Sequence, residues 1–118
     1  MSNQLYYYSY KDYVPTLQAH YMMSDFRKKD IAKVMGWSNA KVSAVFSGGA
    51  NLSGVDLMNL ATILSIDIVH WAYESEYVYL QCRDIVSPFL REMIDKTCRR
   101  KWGDVDRKYG TTVVTESG

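Results

Sequence analysis

The sequence predicts a mainly α-helical protein, and three observations carry that prediction. Apolar residues recur three and four positions apart along most of the chain. Residues suited to a helix start (Pro15, Ser38, Ser53, Pro88) stand where such stretches begin, and glycines (Gly36, Gly48, Gly49) stand where they end. The composition, 47% hydrophobic and 23% charged over 118 residues, is that of a folding globular chain with one core and tails, and it excludes wholesale disorder.

The elements follow in order. Residues 1 to 13 are crowded with tyrosine (Tyr6, Tyr7, Tyr8, Tyr10, Tyr13) and suit a strand, an arm packed on the core or a partly ordered tail. Pro15 fits a first helical turn, and Leu17, Tyr21 and Met22 follow at helical spacing, so a first helix is expected over Val14–Met23. Ile31, Ala32, Val34 and Met35 mark a short second helix, which Gly36 ends because glycine takes a left-handed turn without steric cost. Ser38 caps a third helix through Phe46 or Ser47, with Val42, Val45 and Phe46 inward. After the Gly48-Gly49-Ala50-Asn51 loop, Ser53 caps a fourth helix whose expected buried face is Val55, Leu57, Leu60, Ala61 and Leu64, and a fifth short helix covers about Asp67 to Tyr73.

The second half is less regular. Tyr77 to Cys82 alternates like a strand, while Val78, Cys82, Ile85 and Phe89 keep a helical spacing; helix is the preferred reading. The alternative is an α+β chain with short strands from the Tyr-rich N-terminus and residues 76–83. Pro88 restarts a helix in which Leu90, Met93, Ile94, Thr97 and Cys98 form an apolar stripe as far as Trp102, with Gly103 as the expected stop. The tail to Gly118 suits a short strand or disorder.

The formal net charge is only +1, but its distribution is uneven. Between Arg27 and Ala50 five basic residues (Arg27, Lys28, Lys29, Lys33, Lys41) face a single acid, Asp30: a local +4 that leaves −3 for the remainder. The same segment carries a steric pattern. Two short helices crossing steeply need a small residue at the crossing, here Ala32, a turn glycine, here Gly36, and apolar contacts, here Ile31, Met35, Trp37, Val42 and Val45.

This arrangement resembles the helix-turn-helix of the Cro and lambda-repressor-like, or Xre-type, family of phage and bacterial regulators. The resemblance covers about half the chain, including the glycine-bearing loop and the amphipathic fourth helix from Ser53 to Leu64. It implies a five-helix lambda-repressor-like domain with a C-terminal helical extension. There are departures: Arg27 stands where a capping Thr or Ser is common, Trp37 is larger than the usual aliphatic residue, and everything after Tyr73 lies outside the pattern.

What the resemblance implies for function is a third helix lying in the DNA major groove and a second crossing above the phosphates. Ser38, Asn39, Ala40, Ser43, Ala44 and Ser47 are then the base-reading residues, Asn39 foremost because its amide can make paired hydrogen bonds to adenine. Arg27, Lys28, Lys29, Lys33, Lys41 and Asn51 are the phosphate-binding residues. Four lysines per subunit on phosphate in a dimer would give a log-log salt slope on the order of −7 as an upper bound. The third helix carries no arginine or glutamine on its reading face, so shape and thymine-methyl contacts share the expected readout.

The expectation is therefore a double-stranded DNA-binding transcriptional regulator, a repressor, acting as a homodimer on an inverted repeat. The alternative is a protein-binding regulator, an antitoxin or antirepressor, with a regulatory protein partner. The chain divides into a Tyr-rich arm (1–13), a helix-turn-helix domain (14–73) and an extension (74–118) holding the expected dimer surface and the tail.

Other chemistries find little in the sequence. Cys82 and Cys98 have no CxxC spacing and read as free thiols, and His20 and His70 lack ligand-spaced partners, so no metal and no cofactor is expected. No nucleophile elbow or paired carboxylates suggest an enzyme. No stretch reaches a membrane span and no signal peptide is evident, so a cytoplasmic location is expected. Arg99-Arg100-Lys101 reads equally as a phosphate patch or as a last helical turn whose charge suits the macrodipole.

Overall fold

The computed structural model describes residues 12–105, and within them the expected caps place the helices. Pro15 sits in the first turn of α1 (Val14–Met23). Gly36, at φ 71° and ψ 30°, ends α2 (Lys28–Met35). Ser38 starts α3 (Asn39–Ser47), with its hydroxyl accepting from the Lys41 amide at 3.1 Å. Ser53 does the same for α4 (Gly54–Ile63), accepting from the Asp56 amide at 3.1 Å. Asp67 caps α5 (Ile68–Glu74), Ser75 caps α6 (Glu76–Cys82), and Ser87 accepts from the Leu90 amide at 3.3 Å at the start of α7 (Pro88–Val105).

All these helices share one core. Leu17 of α1, Ile31 of α2, Val42 and Val45 of α3, Leu57 and Leu60 of α4, Trp71 of α5, Val78 of α6 and Ile94 of α7 are fully buried in a single cluster. Neighbouring packing runs α1 on α3, α2 on α3, α4 on α6, and α5, α6 and α7 on one another. From Glu74 to Trp102 the chain therefore completes the interior instead of trailing from it. Tyr13, grouped by sequence with the N-terminal arm, is likewise fully buried.

Buried aromatic residues find partners for their polar tips, as burial requires. The Tyr13 hydroxyl donates to the Val45 carbonyl at 3.1 Å, and the Trp71 indole N–H donates to the Tyr13 carbonyl at 3.2 Å. The Tyr77 hydroxyl donates to the Leu52 carbonyl and accepts from the Leu52 amide, stitching α6 to the loop after α3. The Tyr13 and Tyr77 rings lie 5.5 Å apart, tilted by 37°. The Asp12 carboxylate fills the seam between α5 and α6, accepting from the Ser75 hydroxyl at 2.5 Å and from the Glu76 and Tyr77 amides at 2.9 and 3.4 Å. Burial pushes its pKa from 3.8 up to about 6, against the opposing pull of those hydrogen bonds.

The helix preferred for Tyr77 to Cys82 is present as α6, its first turn held by Ser75 and Asp12, and the alternative strand over residues 76–83 is not formed. Other expectations are corrected. Strands suggested for the N-terminal tyrosines fall on residues 1–11, and the tail from residue 106 likewise lies outside the described residues. Val55 is 59% exposed, because α4 turns Gly54 rather than Val55 into α6. Met22 on α1 is exposed as well.

In α7 the inward stripe is Leu90, Ile94, Cys98 and Trp102, at strict intervals of four. Met93 and Thr97 are offset from it by one residue, about 100° around the helix, and both are exposed. Gly103 does not stop α7, which runs on to Val105. The Trp102 indole donates to the Ala72 carbonyl at 2.8 Å and holds the end of the helix against α5, offsetting the cost of an interior glycine, about 1 kcal/mol. Among the described residues no helix is long and apolar enough to cross a membrane.

Candidate nucleic-acid interface

The basic segment occupies α2, α3 and the turn between them. At the start of α2 Arg27 is extended, with φ −101° and ψ 163°, and its guanidinium has no acceptor with which to cap the helix. Asp30 compensates from the first turn: its carboxylate accepts from the Arg27 amide at 2.9 Å, the reciprocal half of a capping box. At the other end the Trp37 amide reaches back to the Ala32 carbonyl at 2.8 Å and the Gly36 amide to Lys33 at 3.3 Å, closing the tight turn into Ser38. Ile31 and Ala32 are buried where α2 meets α3.

Helix α3 is two-faced. Val42, Val45 and Phe46 are buried, while Asn39, Ala40, Ser43 and Ser47 are exposed and Ala44 is half-buried. Ser38, at the cap, is exposed too, and its hydroxyl keeps a proton to donate because the Lys41 amide takes a lone pair. Ser47 has the opposite bias: its hydroxyl donates to the Ala44 carbonyl at 3.1 Å and leaves the oxygen free to accept. The predicted base-reading residues are thus brought onto one helix and its cap, with small polar groups and methyls facing outward.

The cations lie on α2 and at Lys41 of α3. Arg27, Lys28, Lys29 and Lys33 are exposed along α2, and Asn51 is exposed in the loop after α3. Lys41 is half-buried, with its ammonium 4.8 Å from the centre of the Trp37 ring. The Lys28 ammonium lies 5.5 Å from the centre of the Phe46 ring.

The orientation of α3 is fixed at its far end by groups the sequence did not single out. Gln18 of α1 donates its amide to the Phe46 carbonyl at 2.7 Å, Tyr13 holds the Val45 carbonyl, and the Tyr21 ring meets Phe46 edge-on at 4.9 Å. Gly48, at φ 83°, lets the Gly49 amide return to the Ala44 carbonyl at 2.7 Å. The four-residue spacing of Trp37 and Lys41 is a local signal for their contact; no local signal marks Phe46 and Lys28.

The remaining chemistry-bearing residues lie elsewhere. Among the described residues no group of His, Cys, Asp and Glu is placed to hold a metal ion. His20 is half-buried and His70 exposed, and Cys82 and Cys98 are free, buried thiols. Burial pushes Cys82 up to about 12 and, with the charge of Asp95, Cys98 up to about 11. In the Arg99-Arg100-Lys101 run, the Lys101 ammonium sits 4.4 Å from the Tyr73 ring centre, and the helix continues past the run, which is therefore not its last turn.

Comparison with protein-family models, with curated proteins and with solved structures found no match.

Proposed function

We propose that α2 and α3 act as a helix-turn-helix of the Cro and lambda-repressor-like kind, and that the chain is a sequence-specific double-stranded DNA-binding transcriptional regulator, a repressor. The observation that carries this reading is the two-faced α3: one side is sealed into the core by Val42, Val45 and Phe46, and the other presents Asn39, Ala40, Ser43 and Ser47, on a helix packed against the lysine-bearing α2. A buried small residue at the α2–α3 contact and a left-handed Gly36 support it independently.

On this reading Asn39 pairs with a base edge, the alanines meet thymine methyls, and Lys28, Lys29, Lys33 and Lys41 neutralise phosphates. The protein binds as a homodimer to an inverted repeat with half-sites roughly 34 Å apart. Leu90, Ile94, Cys98 and Trp102 of the apolar stripe on α7 are spent on the chain's own core. Phe89, 69% exposed, and Met93, 41% exposed, are what that helix offers a second copy.

Selection of bound duplexes from a random pool tests the reading: an enriched palindrome is expected. Asn39→Ala should relax the preference by about 1 to 3 kcal/mol at one base pair, whereas Lys28→Ala weakens binding to all duplexes alike. Equal affinity of the wild type for selected and random duplexes rejects sequence-specific readout.

The second reading, a protein-binding regulator, draws on Met22, Met23 and Phe26, large apolar side chains left exposed where α1 turns into α2. Retention of a stoichiometric protein partner, with no retention on duplex DNA, would favour it.

A further inference from the structure

We infer that Trp37 and Phe46 are positioning residues, which seat the ammonium groups of Lys41 and Lys28 at opposite ends of α3 as a preformed two-point clamp for the phosphates of a DNA duplex. The inference rests on the DNA-binding reading and deepens it.

A lysine side chain has four rotatable bonds, and fixing it on a phosphate forfeits rotamer entropy that offsets much of a surface ion pair. A lysine already held over an aromatic face has lost part of that freedom before the ligand arrives. Both lysines have such a face: Lys41 over Trp37 at 4.8 Å and Lys28 over Phe46 at 5.5 Å, each within the distance at which a ring quadrupole attracts a cation.

The rings are themselves held in place. Phe46 is buried, gripped by Tyr21 edge-on and by Gln18 through its carbonyl. Trp37 is partly buried against the core, and its amide closes the turn onto Ala32. Each platform is rigid on the protein side, while the lysine keeps donors for a ligand.

The two seats stand at opposite ends of α3: Trp37 just before its cap, Phe46 in its last turn, with about 10 Å of helical rise between Asn39 and Phe46. Lysines held at the two ends of a helix lying in the groove meet different phosphates of the backbone that lines it. Trp37 departs from the aliphatic residue of the resemblance, and this seat is a use for its size.

A double-mutant cycle on binding to a random-sequence duplex tests the clamp, using wild type, Trp37→Leu, Lys41→Ala and the pair. Trp37→Leu should weaken binding about two- to fivefold, in line with one exposed cation–π contact, without changing the salt slope, because the charge remains. Lys41→Ala should make the slope shallower by about 0.9 per subunit bound. In the Lys41→Ala background the leucine change should cost nothing further, and Trp37→Phe should restore the wild-type affinity.

Thermal melts of each variant separate loss of fold from loss of seating, and Phe46→Leu with Lys28→Ala repeats the cycle at the other end. Independent effects of the two changes, or full affinity in Trp37→Leu, overturn the clamp. NMR of the free protein gives a readout that needs no DNA: the Lys41 ε-methylene protons should be shifted upfield by the indole and return to ordinary values in Trp37→Leu. Unshifted protons overturn the seating, whereas shifted protons in a protein that binds no duplex overturn the phosphate role and place the failure in the DNA-binding reading.

Discussion

Replacing Gly54 by alanine probes the seam that joins the basic half of the molecule to the rest. A Cβ at Gly54 would stand 2.3 Å from the Gln81 carbonyl oxygen, 3.1 Å from its carbon and 2.6 Å from the Ile85 Cδ1. Ordinary contacts begin at about 3.4 Å, so α4 and α6 must part by about 1 Å. The closest atom belongs to the backbone, so no rotamer change relieves the clash. Parting the helices loosens Leu57 and Val78 and strains the bond from the Cys82 thiol to the Gly54 carbonyl, 3.8 Å in the folded chain.

Overpacking of this kind costs about 1 to 3 kcal/mol, and the helix propensity gained by alanine returns at most about 1. With the backbone as obstacle, the upper part of the range applies: a net loss of about 2 kcal/mol, or roughly 8 to 16 °C in Tm for a folded body of this size. Urea denaturation followed by far-ultraviolet circular dichroism measures it. Gly49→Ala is the matched control, since its Cβ would meet only the Ala44 oxygen and the Ser47 hydroxyl, both at 3.7 Å, and its stability should stay the same or rise slightly. A Gly54→Ala protein as stable as its Gly49→Ala counterpart refutes the close approach.

Other perturbations follow the same logic. Asp12 has its pKa raised from 3.8 to about 6, so its contribution to stability is fully present below about 3.8 and lost as pH rises through about 6. After discounting for partial solvent exposure, wild-type stability should fall by about 1 to 2 kcal/mol between pH 4 and pH 7 relative to Asp12→Asn, read from denaturation curves of both proteins; parallel pH dependences would count against the buried carboxylate. Ser65 ends α4 at φ 56°, a left-handed conformation, so Ser65→Gly should stabilise by about 1 kcal/mol in the same denaturation assay, and a loss of stability would contradict the strain. Cys82 and Cys98, buried and held protonated, should react with a water-soluble disulfide reagent only as fast as the protein unfolds; rapid labelling of the native state would refute their burial.

The first three helices were legible because their signals are local. Pro15, Gly36 and Ser38 act within a turn of their own positions, and the inward faces of α2 and α3 repeat at helical spacing. The same locality made the exposed face of α3 visible: with Val42, Val45 and Phe46 turned inward, Asn39 and Ser43 have nowhere to go but out.

What stayed ambiguous or escaped depends on distant partners. Helix is the preferred reading of Tyr77 to Cys82 against a strand-like alternation, and part of what secures it is Asp12, which arrives from the other end of the chain to accept from the first amides of α6. The orientation of α4 is set by the one residue without a side chain, Gly54, which a search for apolar periodicity passes over in favour of Val55. In the site, Gln18 and Tyr13 hold the end of α3 from outside the motif, so their contribution could not be read from the motif's own spacing.

The pair of hydrogen bonds between the Tyr77 hydroxyl and the two backbone groups of Leu52 bears on modularity. A fragment cut at Tyr73, where the sequence resemblance ends, would keep every residue of α2 and α3. It would leave a buried amide and a buried carbonyl without partners in the loop just after α3, and strip Leu52 of its cover. The α2–α3 unit is therefore not a detachable part. Anyone grafting it onto another protein, or trimming it for a fusion, must carry the chain through Trp102, because the segment that looks like an appendage supplies the floor on which the two helices stand.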